Sequence, residues 1–308
     1  MKRIVSLIFA CSLLLPQLIL GQDCCYSNCT TDCFGFDTVL TFDVGGGYRQ
    51  DDIEWKVSSL SNPERITKDK WNKLEMGIVE TNAQFLACEH YLAKLDFDYG
   101  WFGEGGKQHI TRFNTFCGTD RLQAETNGHV YNLDGAVGYQ FNWCCYRYAL
   151  TPLVGYSYHF QKLKNHNYRD HRSPDNKFSV HNSYKLRWRG PTLGIAAAYQ
   201  ISCDWQVSFL YNYHWVRYRG KIEENFNFSG HVLGEQKANK VHGNEFKIST
   251  SYQFCPNWIF CLNVDYKVFQ GNDGRFETKR RSKCEHDAKL HHLKWTSLNA
   301  TADVAYIF

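Results

Sequence analysis

Thirteen cysteines stand in this chain, and their spacing is the chemistry it offers most openly. Setting aside Cys11, which falls in an apolar leader, four crowd the motif "CCYSNCTTDC" as Cys24, Cys25, Cys29 and Cys33. Cys88, the adjacent Cys144 and Cys145, Cys203 and Cys255 mark short breaks between segments of alternating polarity. Four thiolates can cage zinc in a tetrahedron, whereas thiols in an oxidising compartment form disulfides. Adjacent cysteines rarely bond to each other, so Cys24-Cys25 and Cys144-Cys145 favour disulfides to different partners. A second group could handle protons: Asp96 and Asp98 lie two apart, and His109 and His214 follow. General acid–base work needs such groups within hydrogen-bond reach, which depends on the elements that carry them.

Those elements read as strands. Leu40, Phe42 and Val44 alternate with Thr41 and Asp43, a period of two that makes two different faces. The same parity runs through Leu95, Phe97, Tyr99 and Trp101 against Lys94, Asp96 and Asp98. It returns in Leu133, Val137 and Tyr139 against Asp134, and in Leu262, Val264, Tyr266 and Val268 against Asp265 and Lys267. A soluble sandwich would turn the apolar face inward; an outer-membrane barrel would turn it to lipid and the charges into its lumen. Long paired strands, turns that alternate short and long, and Trp and Tyr near strand ends favour the barrel.

The expected fold class is therefore all-β, a ten-stranded antiparallel transmembrane barrel. Its strands centre on about 38–57, 70–86, 90–103, 127–142, 145–160, 183–201, 204–221, 241–254, 257–270 and 293–308, with ends uncertain by about four residues. The cysteine-bearing connections are short and belong on the periplasmic side, while the others, of roughly 13 to 24 residues, belong outside. In the last strand Leu298, Ala300, Ala302, Val304, Tyr306 and Phe308 share a face. The ending at Tyr306 and Phe308 resembles the assembly signal of bacterial outer-membrane barrels.

Residues 1–21 read as an export signal, with Lys2 and Arg3, an apolar run from Ile4 to Leu15, and Gly21 at a plausible cleavage point. The run is shorter than the roughly 20 residues of a spanning helix. Residues 22–35 then form a cysteine-rich periplasmic segment and 36–308 the barrel. With 35 basic and 31 acidic residues, nothing calls for nucleic acid, and neither cofactor nor metal is expected. Asp43, Lys94, Asp96, Asp98, Asp134, Lys185, Arg187, Arg189, Asp265, Lys267 and Asp303 fall on the polar parity and are expected to line the lumen. Their mixed signs fit either a plug of mutual ion pairs or a narrow charged channel for ions and small solutes. The basic loops around Lys162, Lys164, Arg169 and Arg172, and Lys279, Arg280, Arg281 and Lys283, are solvated, or meet phosphates of outer-leaflet lipid or an acidic host surface.

The segments "YRQDDIEWKV", "RWRGPTLGIAAAYQ", "YNYHWVRYRG" and the closing "ATADVAYIF" resemble, in order and pattern, the omptin-type ten-stranded barrel across most of the mature chain. Omptin proteases share an Asp pair near the second long loop and an Asp-x-His pair after the seventh strand. Here "GEGGKQHITRFNTFCGTD" has no closely spaced Asp pair and "RGKIEENFNF" no His, so no catalytic residue is carried over. The barrel with many thiols also resembles the cysteine-rich outer-membrane proteins of chlamydiae and their amoeba-associated relatives, the Protochlamydia-type family. That resemblance implies a small porin or a structural protein, tied to other envelope proteins through disulfides. An omptin-type protease or an adhesin-like barrel is the alternative.

Overall fold

The computed structural model describes residues 38–59, 66–114, 118–144, 147–170, 173–178, 181–226, 230–280 and 285–308. The leader, the "CCYSNCTTDC" segment, Cys117, Cys145 and Cys284 lie outside the described residues. The strands are β1 (Thr38–Ser59), β2 (Ile66–Ala87), β3 (Tyr91–Asn114), β4 (Gly118–Tyr139), β5 (Phe141–Trp143), β6 (Tyr148–Asp170) and β7 (Ser173–Phe178). After them come β8 (His181–Gln200), β9 (Trp205–Phe226), β10 (Gly230–Cys255), β11 (Trp258–Gly271), β12 (Gly274–Arg280) and β13 (Glu285–Ile307). All pair antiparallel in the order β1-β2-β3-β4-β6-β8-β9-β10-β11-β13, and β13 returns to β1 from Thr41↔Ile307 to Ser59↔Ala288. The ring therefore closes as ten staves. Short β5 carries the β4 stave on against β6, and β12 prolongs β11 between β10 and β13.

Closure needs small residues at the seam. A Cβ at Gly45 would lie 1.6 Å from Asp303 Oδ1, and one at Gly47 would lie 2.0 Å from the Ala300 carbonyl oxygen. The staves also run further than alternation alone marks. β3 continues to Asn114, β4 begins at Gly118, β9 reaches Phe226 and β10 starts at Gly230. Much of the sequence expected as long external loops is strand.

Most staves keep their parity, bulges shift it on β2, β10 and β13, and the faces exchange their chemistry halfway up. On β1, Phe42, Val44 and Tyr48 point outward and are 44–46% exposed, while Arg49 and Asp51 are buried in the bore. Beyond Asp51 the inward residues become Ile53, Trp55 and Val57, and the outward ones Asp52, Glu54 and Lys56. The lower half is thus a barrel in lipid, apolar outside and polar within; the upper half is built like a soluble sheet. Exposed aromatics rim the lower band: Trp143, Trp205 and Trp258 near the short turns, and Trp101, Tyr156 and Trp215 at the other edge. Trp205 and Trp215 are ten residues apart on β9. That is about 33 Å of strand, or about 25 Å of bilayer at a tilt near 40°.

This exchange corrects one group of expected lumen residues. Lys185, Arg187 and Arg189 belong to the upper half of β8, where Tyr184, Leu186 and Trp188 fill the bore and the basic residues point outward. Their polar parity is real; at that height it is the outer one.

Candidate functional site

The bore holds three successive layers. At the short-turn end is a cavity of about 480 Å³ lined by Thr41, Asp43, Gln84, Lys94, Gln140, Lys247, Ser251 and Cys261 among others. Above it lies a girdle of buried charge. Arg49 is gripped by Asp51 through two bonds of 2.8 and 2.9 Å and reaches Asp98 at 3.1 Å. Asn132 donates to Asp98 at 2.9 Å and Gln161 to Asp51 at 3.0 Å. Lys267 lies 2.8 Å from Glu245 and 3.3 Å from both Asp134 and Asp265. Lys247 meets Glu80 at 2.7 Å, and Lys94 meets Asp96 at 3.0 Å. Asn82 donates to Asp43 at 2.5 Å, and Asn263 donates to Asp303. Eight of the eleven expected lumen residues therefore face the bore.

The third layer closes it. Trp55, Trp71, Tyr184, Trp188, Tyr218, Phe269 and Trp295 are all fully buried or nearly so, and their rings touch in two groups, Trp55 with Trp71 and Tyr184, and Trp188 with Tyr218, Phe269 and Trp295. Ring centroids are 4.4 Å apart for Trp55–Trp71, 5.0 Å for Trp71–Tyr184, 4.6 Å for Trp188–Tyr218 and 4.8 Å for Phe269–Trp295. Ile53, Leu74, Leu163, Leu186 and Leu293 fill the gaps in the same cluster. The Arg49 guanidinium lies 5.6 Å over the Trp295 ring, joining girdle to seal. The signal for this layer was present in sequence as aromatics on the even parity of β8 and the odd parity of β1, but alternation does not say which face is inside.

The candidate acid–base groups lie in different parts of the wall and bore. Asp96 and Asp98 sit in the girdle, ion-paired to Lys94 and Arg49. His109 is on the outer wall of β3, where partial burial and then Lys107 and Lys70 hold its imidazole below the usual range. A hydroxyl–imidazole–carboxylate chain does form: Ser157 Oγ is 3.1 Å from His214 Nδ1, and His214 Nε2 is 3.2 Å from Glu245. That is the order of groups in serine hydrolases. Ser157 and His214 are buried, however, and the space against His214 and Glu245 is about 20 Å³, enough for one water and too small for a carbonyl substrate. Among the described residues no cluster of three metal-ligating side chains occurs.

The thiols gather at the opposite end. Cys88 and Glu89 form a two-residue turn with φ of 47° and 59°, closed by His90 N–H donating to the Ala87 carbonyl at 3.1 Å. Positive φ at both central positions matches the twist of a hairpin, although Gly or Asn usually occupies them. Cys144 also has a positive φ, 51°, in the turn closed by Arg147 N–H to its carbonyl. Cys144 and Cys255 are exposed free thiols and Cys88 a half-buried one. Cys203, in the third short turn, is disulfide-bonded.

A closed ring of ten staves, with a lipid-facing band, aromatic rims and a polar lower bore, defines an outer-membrane β-barrel protein. Residues 43–308 match the family model described as Protochlamydia outer membrane protein, and the chain belongs to that family. Among solved structures it is similar to the outer membrane protease OmpT from Escherichia coli. The identity is 15%, the match covers 91% of this chain and 100% of that one, and the TM-score is 0.75. The Pseudomonas putida toluene transporter TodX matches at 9% identity over 87% and 90% of the two chains, with a TM-score of only 0.33. No curated protein matches the chain. Its family makes it a protein of the outer membrane.

Proposed function

We propose that the protein is a closed barrel that serves the cell envelope structurally, its exposed rim thiols joining it to neighbouring envelope proteins. The observation that carries this reading is the aromatic layer above the girdle, which fills the bore with side chains rather than water. Conduction of ions or small solutes, the porin half of the sequence expectation, would require that layer to move. Cys144 and Cys255 support the linking role, since both are free, exposed and at the short-turn end. On the same reading the barrel is not a protease, because Asp96, Asp98 and His109 do not converge.

Two experiments test the two parts. Folded protein in planar bilayers is expected to give no stepwise conductance, and steady unitary steps at ordinary voltages would sink the closed-barrel reading. Oxidised envelopes should show high-mass species on non-reducing gels that collapse with reductant and diminish in a Cys144→Ser, Cys255→Ser variant. An unchanged ladder in that variant would remove these thiols from the linking role.

A further inference from the structure

High on the upper half of the barrel is a cavity of about 370 Å³ that is lined, among the described residues, only by polar side chains. Four of them are amides: Asn127 on β4, Asn165 and Asn167 on β6, and Asn182 on β8. Lys164, His166 and Ser183 complete the lining. The ladder accounts for the opening. β6 pairs with β8 as far as Asn165↔Asn182 and next pairs with β7 at Tyr168↔Phe178, so on that edge the ladder skips two residues of β6. On the other edge Glu125 pairs with His166 and Gln123 with Arg169, which leaves Asn167 in a bulge with a φ of 55°. A bulge re-aims a side chain, and asparagine is among the few residues that accept such a backbone.

Part of the lining is held in place and part is unspent. Asn165 is buried, accepts from Thr126 Oγ1 at 2.7 Å and donates to Gln108. Asn167 donates to Glu125 at 2.9 Å, which leaves its Oδ1 to accept from a ligand. Two neighbouring carboxylates are already engaged: Glu125 with Asn167 and with Arg169 at 3.4 Å, and Glu223, opposite Ser183, with Lys185 at 3.3 Å. Lys164 is exposed, and its ammonium has neither a hydrogen bond nor an ion pair among the described residues. The side chains of Asn127 and Ser183 make no hydrogen bond among those residues either.

Chemistry and height identify the ligand. An amide offers a donor and an acceptor side by side, the pair that adjacent hydroxyls of a sugar ring need. With one ammonium and no carboxylate among the described lining residues, the cavity favours an acid. Its volume is that of a site for a small ligand. Lys164 lies eight residues beyond Tyr156 on β6, and the exposed Tyr156 ring marks the edge of the lipid-facing band. Eight residues are about 27 Å of strand, or about 20 Å of rise at a tilt near 40°. That height clears the lipid head groups and meets glycans outside the cell.

We propose that this cavity binds a carboxylate-bearing sugar, of the uronic or sialic acid class, at the end of an external glycan. Lys164 takes the carboxylate, and Asn127, Asn167 and Ser183 take the hydroxyls. The test titrates folded protein, in micelles whose head groups carry no sugar, with the methyl glycosides of glucuronic acid, N-acetylneuraminic acid and glucose. At least one acidic glycoside is expected to bind about tenfold tighter than the neutral one. Lys164→Gln should lower that affinity to the level of the glucoside and leave glucoside binding unchanged, whereas Asn127→Ala, Asn167→Ala should weaken both. Lys68→Gln, on another flank where Glu54 answers Lys68 at 3.0 Å, should change neither. Heat-modifiable gel mobility checks that each variant is folded. No saturable binding of either acidic glycoside, or undiminished acid binding in folded Lys164→Gln, overturns the proposal. So does a triaspartate peptide that competes as well as the sugars, since the cavity would then be a peptide site.

Discussion

Lys267 is the residue on which the girdle's charge balance turns. Its ammonium is within 3.3 Å of Glu245, Asp134 and Asp265, and Glu245 in turn holds His214 and accepts from Asn212 at 2.8 Å. Breaking a buried ion pair from one side leaves the other charge without compensation and costs about 3–5 kcal/mol. Lys267→Met should therefore lower stability by roughly that amount, read as an earlier midpoint in chemical unfolding from micelles. Adding Asp265→Asn removes one stranded carboxylate and should recover part of the loss. If Lys267→Met unfolds with the wild-type midpoint, the girdle is hydrated well enough that its pairs contribute little.

At the scale of the stave, β8 shows how a strict period of two can be read correctly and still mislead. Alternation alone reveals ten strands, the cysteine-bearing turns at Cys88, Cys144, Cys203 and Cys255, and a lumen holding Asp98, Asp134, Asp265 and Lys267. It misplaces Lys185, Arg187 and Arg189 because parity fixes which residues share a face, not which face meets water. Below the membrane edge the inner face is polar; above it the solvent is outside, so the apolar residues turn in, and Trp188 and Leu186 take the bore without any break in register. The external extensions were hidden for the same reason, since polar residues outside and scattered apolar ones such as Ile110 and Ala124 inside read as loop. Single cysteines along β8 test the assignment. A membrane-impermeant maleimide should label positions 185, 187 and 189 on intact cells and leave 184, 186 and 188 unlabelled; the opposite pattern would return the basic residues to the lumen.

For the molecule as a whole, the order of layers makes the bore a blind one: a wet cavity at the short-turn end, then paired charge, then packed aromatics. A girdle alone would leave room for water and ions, so closure rests on the layer above it. Replacing Trp188, Phe269 and Trp295 by Ala removes three fully buried rings that pack on one another, at about 3–5 kcal/mol each. The bilayer-embedded lower staves keep their ladders, and heat-modifiable mobility reports whether the variant still folds; the Trp295→Ala single variant serves if the triple does not. The opened bore should then conduct. Its inward acids, Asp43, Asp51, Glu80, Asp96, Asp98, Asp134, Glu245, Asp265 and Asp303, outnumber the bases Arg49, Lys94, Lys247 and Lys267. Cations should therefore carry most of the current, and a potassium chloride gradient across the bilayer should give a reversal potential of cationic sign. A folded variant that stays silent would show that the aromatic layer is not what closes the barrel, and an anion-selective one that the girdle does not set the field within it.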